Sequence, residues 1–292
     1  MSLVARLPLA ALLLTMAASC TQVPFLAPAS PTPQPWAYVD VGGRDLYYSC
    51  YGEAGPTVIL EEDLDYSGTQ FASSYGDIIK AIRPKARICF YDRAGLGMSD
   101  EASTPRTSQD IVDDLHAMLV KSGLPRPVVL VGVGFGAGHS ILYASQHPED
   151  VAGLVLLSPV PPELPESIVR ALPSPSPDEP NVVTMTRAFW GLLENEEGLD
   201  WQASKDQIAQ VTSLGDIPLV VLSPDKYDPA AEAVAPDTWP AVEKVYRELQ
   251  VKLPQLSTRG RHEIASFDTA DDFASALTNA IESVLDEVQQ SQ

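Results

Sequence analysis

Pro127-Val-Val-Leu-Val-Gly-Val-Gly-Phe-Gly-Ala-Gly-His139, with Ser140-Ile-Leu-Tyr-Ala-Ser145 directly behind it, decides how the chain folds. The β-branched apolar run suits a strand buried on both faces. Glycines at 132, 134, 136 and 138 let the backbone reverse sharply into a helix packed against it. The passage therefore reads as strand, turn, helix. A nucleotide-binding loop is the competing reading of such a turn. Gly132 to Ala137 meets only the looser form of that fingerprint, with Ala in place of the last Gly, and no strand ending in an acid follows about 20 residues on.

A second passage, Arg87-Ile-Cys-Phe-Tyr-Asp-Arg-Ala-Gly-Leu-Gly-Met-Ser-Asp100, reads as another strand and its following loop. With the first it resembles the α/β-hydrolase fold family, whose nucleophile elbow is G-x-S-x-G between a strand and a helix. The resemblance runs over roughly residues 36 to 288. It implies an α/β fold: an eight-stranded, mostly parallel sheet flanked by helices, with a small helical cap between strands six and seven. In this chain the elbow is Gly132-Val133-Gly134-Phe135-Gly136, so glycine stands at the nucleophile position. Gly134 keeps the turn, since glycine takes positive φ without strain, and it removes the reactive oxygen. Ser140 lies well past the bend, within the helix, and is not expected to substitute. Asp92 and Arg93 are expected to satisfy buried turn groups and not to catalyse.

Outward from these passages, composition sets limits. The chain has 292 residues, 45% of them hydrophobic, and a formal net charge of −20. That length fits one α/β domain with an insertion. The carboxylate excess argues against nucleic acid and anionic membrane surfaces as partners. Residues 1–20 read as an export signal: Arg6, a Leu/Ala run from Leu7 to Ala18, then Ala17-Ala-Ser-Cys20. About a dozen apolar residues are too few to span a bilayer, which takes about 20. Cys20 resembles a bacterial lipobox cysteine, with Ala17 where Leu is usual, so lipidation and plain signal cleavage both stand. Residues 21–35 hold five prolines and read as a linker, leaving 36–292 as the hydrolase-like domain. Membrane attachment is expected only through that lipid.

Gly42-Gly43 marks a hairpin between Trp36–Val41 and Arg44–Tyr51. Cys50 falls in the second strand and Cys89 in the fourth. In the family those strands are neighbours, and an oxidising compartment favours pairing, so the resemblance implies a disulfide, with two separate buried thiols as the alternative. After the third strand, Thr57–Glu61, the family places small residues whose N–H groups bind the oxyanion. This chain has Glu61-Glu-Asp-Leu-Asp65, whose charge opposes a developing anion. Glu62, Asp63 and Asp65 are read as a solvated acidic loop in preference to a Ca²⁺ site, so no metal or cofactor is expected.

Thr107 and Asp110 form a capping pair for a helix to Ser122, with His116 off its apolar face and read as a surface histidine. The sixth strand ends at Ser158 where related chains often carry the triad acid. Residues 160–213 are the cap insertion. Its Phe189, Trp190 and Trp201 are read as cap core rather than a ligand cage. Asp225 and Asp228, after the seventh strand, are the surviving acid candidates. His262 is the histidine candidate, either in a loop after the last strand or inside that strand with the loop deleted; the second is preferred. Thr269 and Asp272 cap a closing helix. With nucleophile, oxyanion loop and one acid position changed, the expectation is an exported chain inactive as a serine hydrolase, binding a small apolar ligand or a protein. The alternative is hydrolysis of an ester or amide at an unconventional site using Asp225, Asp228 or His262.

Overall fold

A computed structural model describes residues 36–193 and 195–290, without the side chain of residue 71. The expectations for residues 1–20, 21–35 and Cys20 lie outside the described residues. In chain order the elements are β1 (Trp36–Asp40), β2 (Asp45–Tyr51), β3 (Thr57–Glu61), α1 (Gly68–Phe71), α2 (Gly76–Ile82), β4 (Arg87–Tyr91), α3 (Ser108–Lys121), β5 (Val128–Val133), α4 (Gly136–Gln146) and β6 (Val151–Leu157). There follow α5 (Leu164–Ala171), α6 (Asn181–Leu192), α7 (Trp201–Ile208), β7 (Leu219–Pro224), α8 (Pro229–Val234), α9 (Trp239–Gln250), β8 (Gly260–Ala265) and α10 (Ala270–Gln290).

The strands form one sheet in the order β1-β2-β4-β3-β5-β6-β7-β8. β2 runs antiparallel to both β1 and β4, and every other pairing is parallel. This is the eight-stranded, mostly parallel sheet that the resemblance implied. Cys50 and Cys89 stand directly opposite in the β2–β4 pair and are joined as a disulfide. β5 shows why such a strand reads as a continuous apolar run: Val128 and Leu130 enter the core under α3 and α4, while Val129 and Val131 enter the one under α2 and α10. α3 begins with the capping box between Thr107 and Asp110 and lays Ile111, Leu115, Met118 and Leu119 inward.

A third core sits above the C-terminal ends of the strands. Helices α5 and α6 bring Leu164, Ile168 and Val183 against Trp239, Val242 and Tyr246 of α9, and Phe135 of the elbow belongs to the same core. Apolar packing therefore occupies the region over the strand ends.

Candidate functional site

The β5–α4 turn is the sharp bend that the glycines promised. Gly134 has φ +52°, donates its N–H to the Leu157 carbonyl at 3.0 Å, and accepts from the Val160 N–H at 3.0 Å. A β-carbon on Gly136 would strike the Glu61 and Glu62 carbonyls, so glycine there lets the helix approach β3.

The space that a side chain on Gly134 would fill is taken by Asp63. A β-carbon built on Gly134 would collide with the Asp63 carboxylate. Asp63 Oδ1 accepts the Phe135 N–H at 2.8 Å and the Leu64 N–H at 2.8 Å. The Phe135 N–H follows the nucleophile position and opens α4, where donors and the helix dipole favour an anion. Here the protein supplies that anion itself. Burial pushes the Asp63 carboxyl above its ordinary value, against the pull of those two N–H groups and of Arg93.

Arg93 holds this loop. Its guanidinium is buried; Nη1 donates to Glu61 Oε1 at 2.9 Å and to the Glu62 carbonyl at 2.6 Å, and Nη2 donates to the Asp63 carbonyl at 2.7 Å. Nε donates to Glu197 Oε2 at 2.8 Å, and Nη2 also reaches Glu197 Oε1. Glu61 accepts the Tyr91 hydroxyl and lies 3.1 Å from His139 Nδ1. Burial drives the Glu61 carboxyl up, yet His139, Arg93 and Tyr91 outweigh it and leave it below its ordinary value. Glu62 has weaker company. Burial pushes it up to about 7 despite the Tyr75 hydroxyl and Arg93, and its Oε1 has no hydrogen-bond partner.

This corrects the reading of Glu62, Asp63 and Asp65 as a solvated loop. Glu61 and Glu62 are buried, Asp63 is turned onto the elbow, and Asp65, at φ +64°, accepts the Glu196 and Glu197 N–H groups at 2.8 and 3.0 Å. The loop faces inward because Arg93 gathers its carbonyls and carboxylates at one point. Asp92 is buried and accepts from Ser67, Thr69 and Met98, which is a turn-building role.

The remaining named residues are dispersed. Ser158 directly follows β6 at φ +45°, with its N–H on the Leu222 carbonyl. Asp225 is exposed, and Asp228 caps α8 by accepting the Ala231 N–H at 2.9 Å. His262 lies inside β8 opposite Val221, so no loop histidine follows the strand at this position. Its Nε2 is 3.0 Å from Ser223 Oγ, and burial, then Arg247, lowers its pKa. Ser223 is itself buried within β7 and donates to Gln250. Among the described residues no hydrogen bond or ion pair joins Asp225, Asp228 or His262 to Asp63 or Phe135. Ser140 is fully buried in α4 without a partner for its hydroxyl.

One sizeable cavity lies within the cap. A cavity of about 680 Å³ is bounded by Val169, Arg170, Trp190, Leu193, Leu199 and Trp201 on α5, α6 and the approach to α7. Trp201 meets Phe135 edge to face at 4.9 Å, and its indole N–H has no partner. Trp190 and Trp201 thus pack against the cap core and line a cavity at once, while Phe189 is half exposed, which corrects their reading as cap core alone. Asp63 and Glu197 were not recognised as parts of one site. The acidic run in place of small residues was the only local signal for Asp63, and Glu197 carried none.

Residues 65–189 match the family model for the α/β hydrolase fold. The chain is 30% identical over 99 residues to an uncharacterized protein of Schizosaccharomyces pombe, covering 34% of this chain and 18% of that one. It is 29% identical over 108 residues to the uncharacterized protein YqjL of Bacillus subtilis, covering 37% and 41%. The chain thus spans less than half the length of these curated relatives. Among solved structures, an α/β hydrolase from Sphaerobacter thermophilus superposes with a TM-score of 0.56 at 17% identity, covering 84% of this chain and 99% of that one, a likeness of fold.

Proposed function

Because the chain belongs to the α/β-hydrolase fold superfamily and yet carries a carboxylate where the family's reaction begins, we propose that it is a non-hydrolytic binding protein that takes a small apolar ligand in its cap cavity. One observation carries this reading: Asp63 stands over Gly134 and occupies the Phe135 N–H. Serine hydrolysis needs an oxygen at that spot, free donors for the oxyanion, and a histidine within reach. Asp63 fills the volume such an oxygen would need and takes the Phe135 N–H that would bind the oxyanion, so neither is free for the transition state. The cap cavity has the size of a small-molecule site, with Trp190 and Trp201 on a wall that also carries Glu166, Arg170, Asp200 and Gln202.

Hydrolysis at an unconventional site is the second reading, favoured only by the Ser223–His262 contact, and that serine is buried and shared with Gln250. Export is part of the proposal; the Cys50–Cys89 bridge supports an oxidising compartment.

The test is direct. Purified mature protein should neither turn over short nitrophenyl esters nor be labelled by a fluorophosphonate. It should bind the apolar fluorophore N-phenylnaphthylamine with quenching of tryptophan emission, and Val169→Arg should weaken that binding by about tenfold or more. Covalent labelling, ester turnover, or fluorophore binding untouched by Val169→Arg would each overturn the reading.

A further inference from the structure

Away from the elbow, two of the chain's four histidines meet. His116, on the flank of α3, stacks on His147, the residue that ends α4, with ring centroids 3.9 Å apart and planes 7° from parallel. Asp150, three residues further on, is buried, and its Oδ2 lies 3.2 Å from His116 Nδ1. One donor atom from each of the three falls within 4.8 Å of the others. His116 is therefore not the free surface histidine that the sequence suggested.

We propose that His116, His147 and Asp150 form a binding site for a divalent cation of the Zn²⁺ class. Two imidazoles and one carboxylate are the donor set such borderline ions take, whereas Ca²⁺ and Mg²⁺ prefer oxygen alone. The carboxylate is already aimed. Tyr143 donates its hydroxyl to Asp150 Oδ2 at 3.0 Å and Arg126 donates to Oδ1 at 2.7 Å, the outer support that orients a ligating group. Asp113 and Glu149 add negative potential around His147. Both rings are half-buried, so the fourth position opens to water.

The stack itself must open on binding. Each imidazole coordinates in its own plane, so two parallel rings cannot both direct a lone pair at one ion. Ligands of a tetrahedral zinc lie roughly 3.3 Å apart, given bonds of about 2.0 Å; His116 Nδ1 and Asp150 Oδ2 already meet that spacing at 3.2 Å, and the His147 donor, within 4.8 Å of both, is the one that has to adjust. His147, at a helix end, is the ring placed to turn. Neutral imidazole is the binding form, so metal uptake should compete with protons.

Untagged protein, stripped with chelator and titrated with Zn²⁺ by calorimetry and with Co²⁺ by absorbance, tests this. One equivalent should bind. The pair His116→Ala, His147→Ala should lose it, His147→Gln should weaken it about tenfold or more, and His262→Ala should leave it unchanged, all with native circular dichroism. Binding should also shift the imidazole NMR signals of His116 and His147 together. Failure to bind one equivalent, or equal binding in the folded double variant, would overturn the proposal.

Discussion

Asp63 and Gly134 are complementary: the carboxylate of one fills the volume that the other leaves empty. Gly134→Ser alone must therefore displace Asp63 as well as hold serine at φ +52°, and should cost roughly 1–3 kcal/mol in backbone strain before the collision is counted. Adding Asp63→Gly should recover part of the loss, with a coupling of about 1 kcal/mol or more in a double-mutant cycle by denaturant unfolding. Strictly additive losses would contradict the fit. Neither variant should gain esterase activity, because His262 is fixed within β8.

Arg93 neutralises Glu61 and Glu197 out of contact with water. Arg93→Met leaves Glu197 buried without its counter-ion and Glu61 with only His139 and Tyr91 as partners, and should destabilise by about 3–5 kcal/mol in urea unfolding. A change under about 1 kcal/mol would show that the pair is dispensable.

The Glu62 carboxyl titrates at about 7 in the folded chain against 4.5 as its ordinary value. The folded state thus holds a proton that the unfolded state releases, and Glu62's contribution is complete below pH 4.5 and lost as pH rises to 7. At about 1.4 kcal/mol per pH unit this amounts to about 3 kcal/mol. Glu62→Gln should melt higher than wild type at pH 8 and close to it at pH 4.5. An equal difference at both values would refute the assignment.

The Cys50–Cys89 bridge closes a 39-residue separation. Loop-closure entropy for that length comes to about 4 kcal/mol, so dithiothreitol should lower the melting temperature by several degrees. Cys50→Ala with Cys89→Ala should melt low whether or not reductant is present. A wild-type melting temperature indifferent to reductant would argue against the bridge.

What could be read beforehand followed from local chemistry. The β5 apolar run, the glycine turn, the Thr107–Asp110 box and the hairpin at Gly42-Gly43 each declare themselves within a few residues. The placement of Cys50 opposite Cys89 needed only strand order. Asp63 was harder, because its direction depends on Arg93, 30 residues away, and Arg93 in turn on Glu197, 104 residues further along. His116 and His147 are 31 apart and meet because α3 packs on α4. Side-chain aim set by distant partners leaves little local pattern. The fold was therefore legible, while the filling of its site was not.

Finally, the second half of the cap is sewn down. Gly198 and Asp200 exchange backbone hydrogen bonds with Arg106 at 2.9 and 2.7 Å, Ser204 accepts the Ser108 N–H at 2.9 Å, and Asp65 receives the Glu196 and Glu197 amides. A flap fastened along such a seam cannot swing as a gate, so traffic into the cap cavity has to come from the outer side, and the amides of Glu196 and Asp200 should exchange deuterium only in step with the core strands.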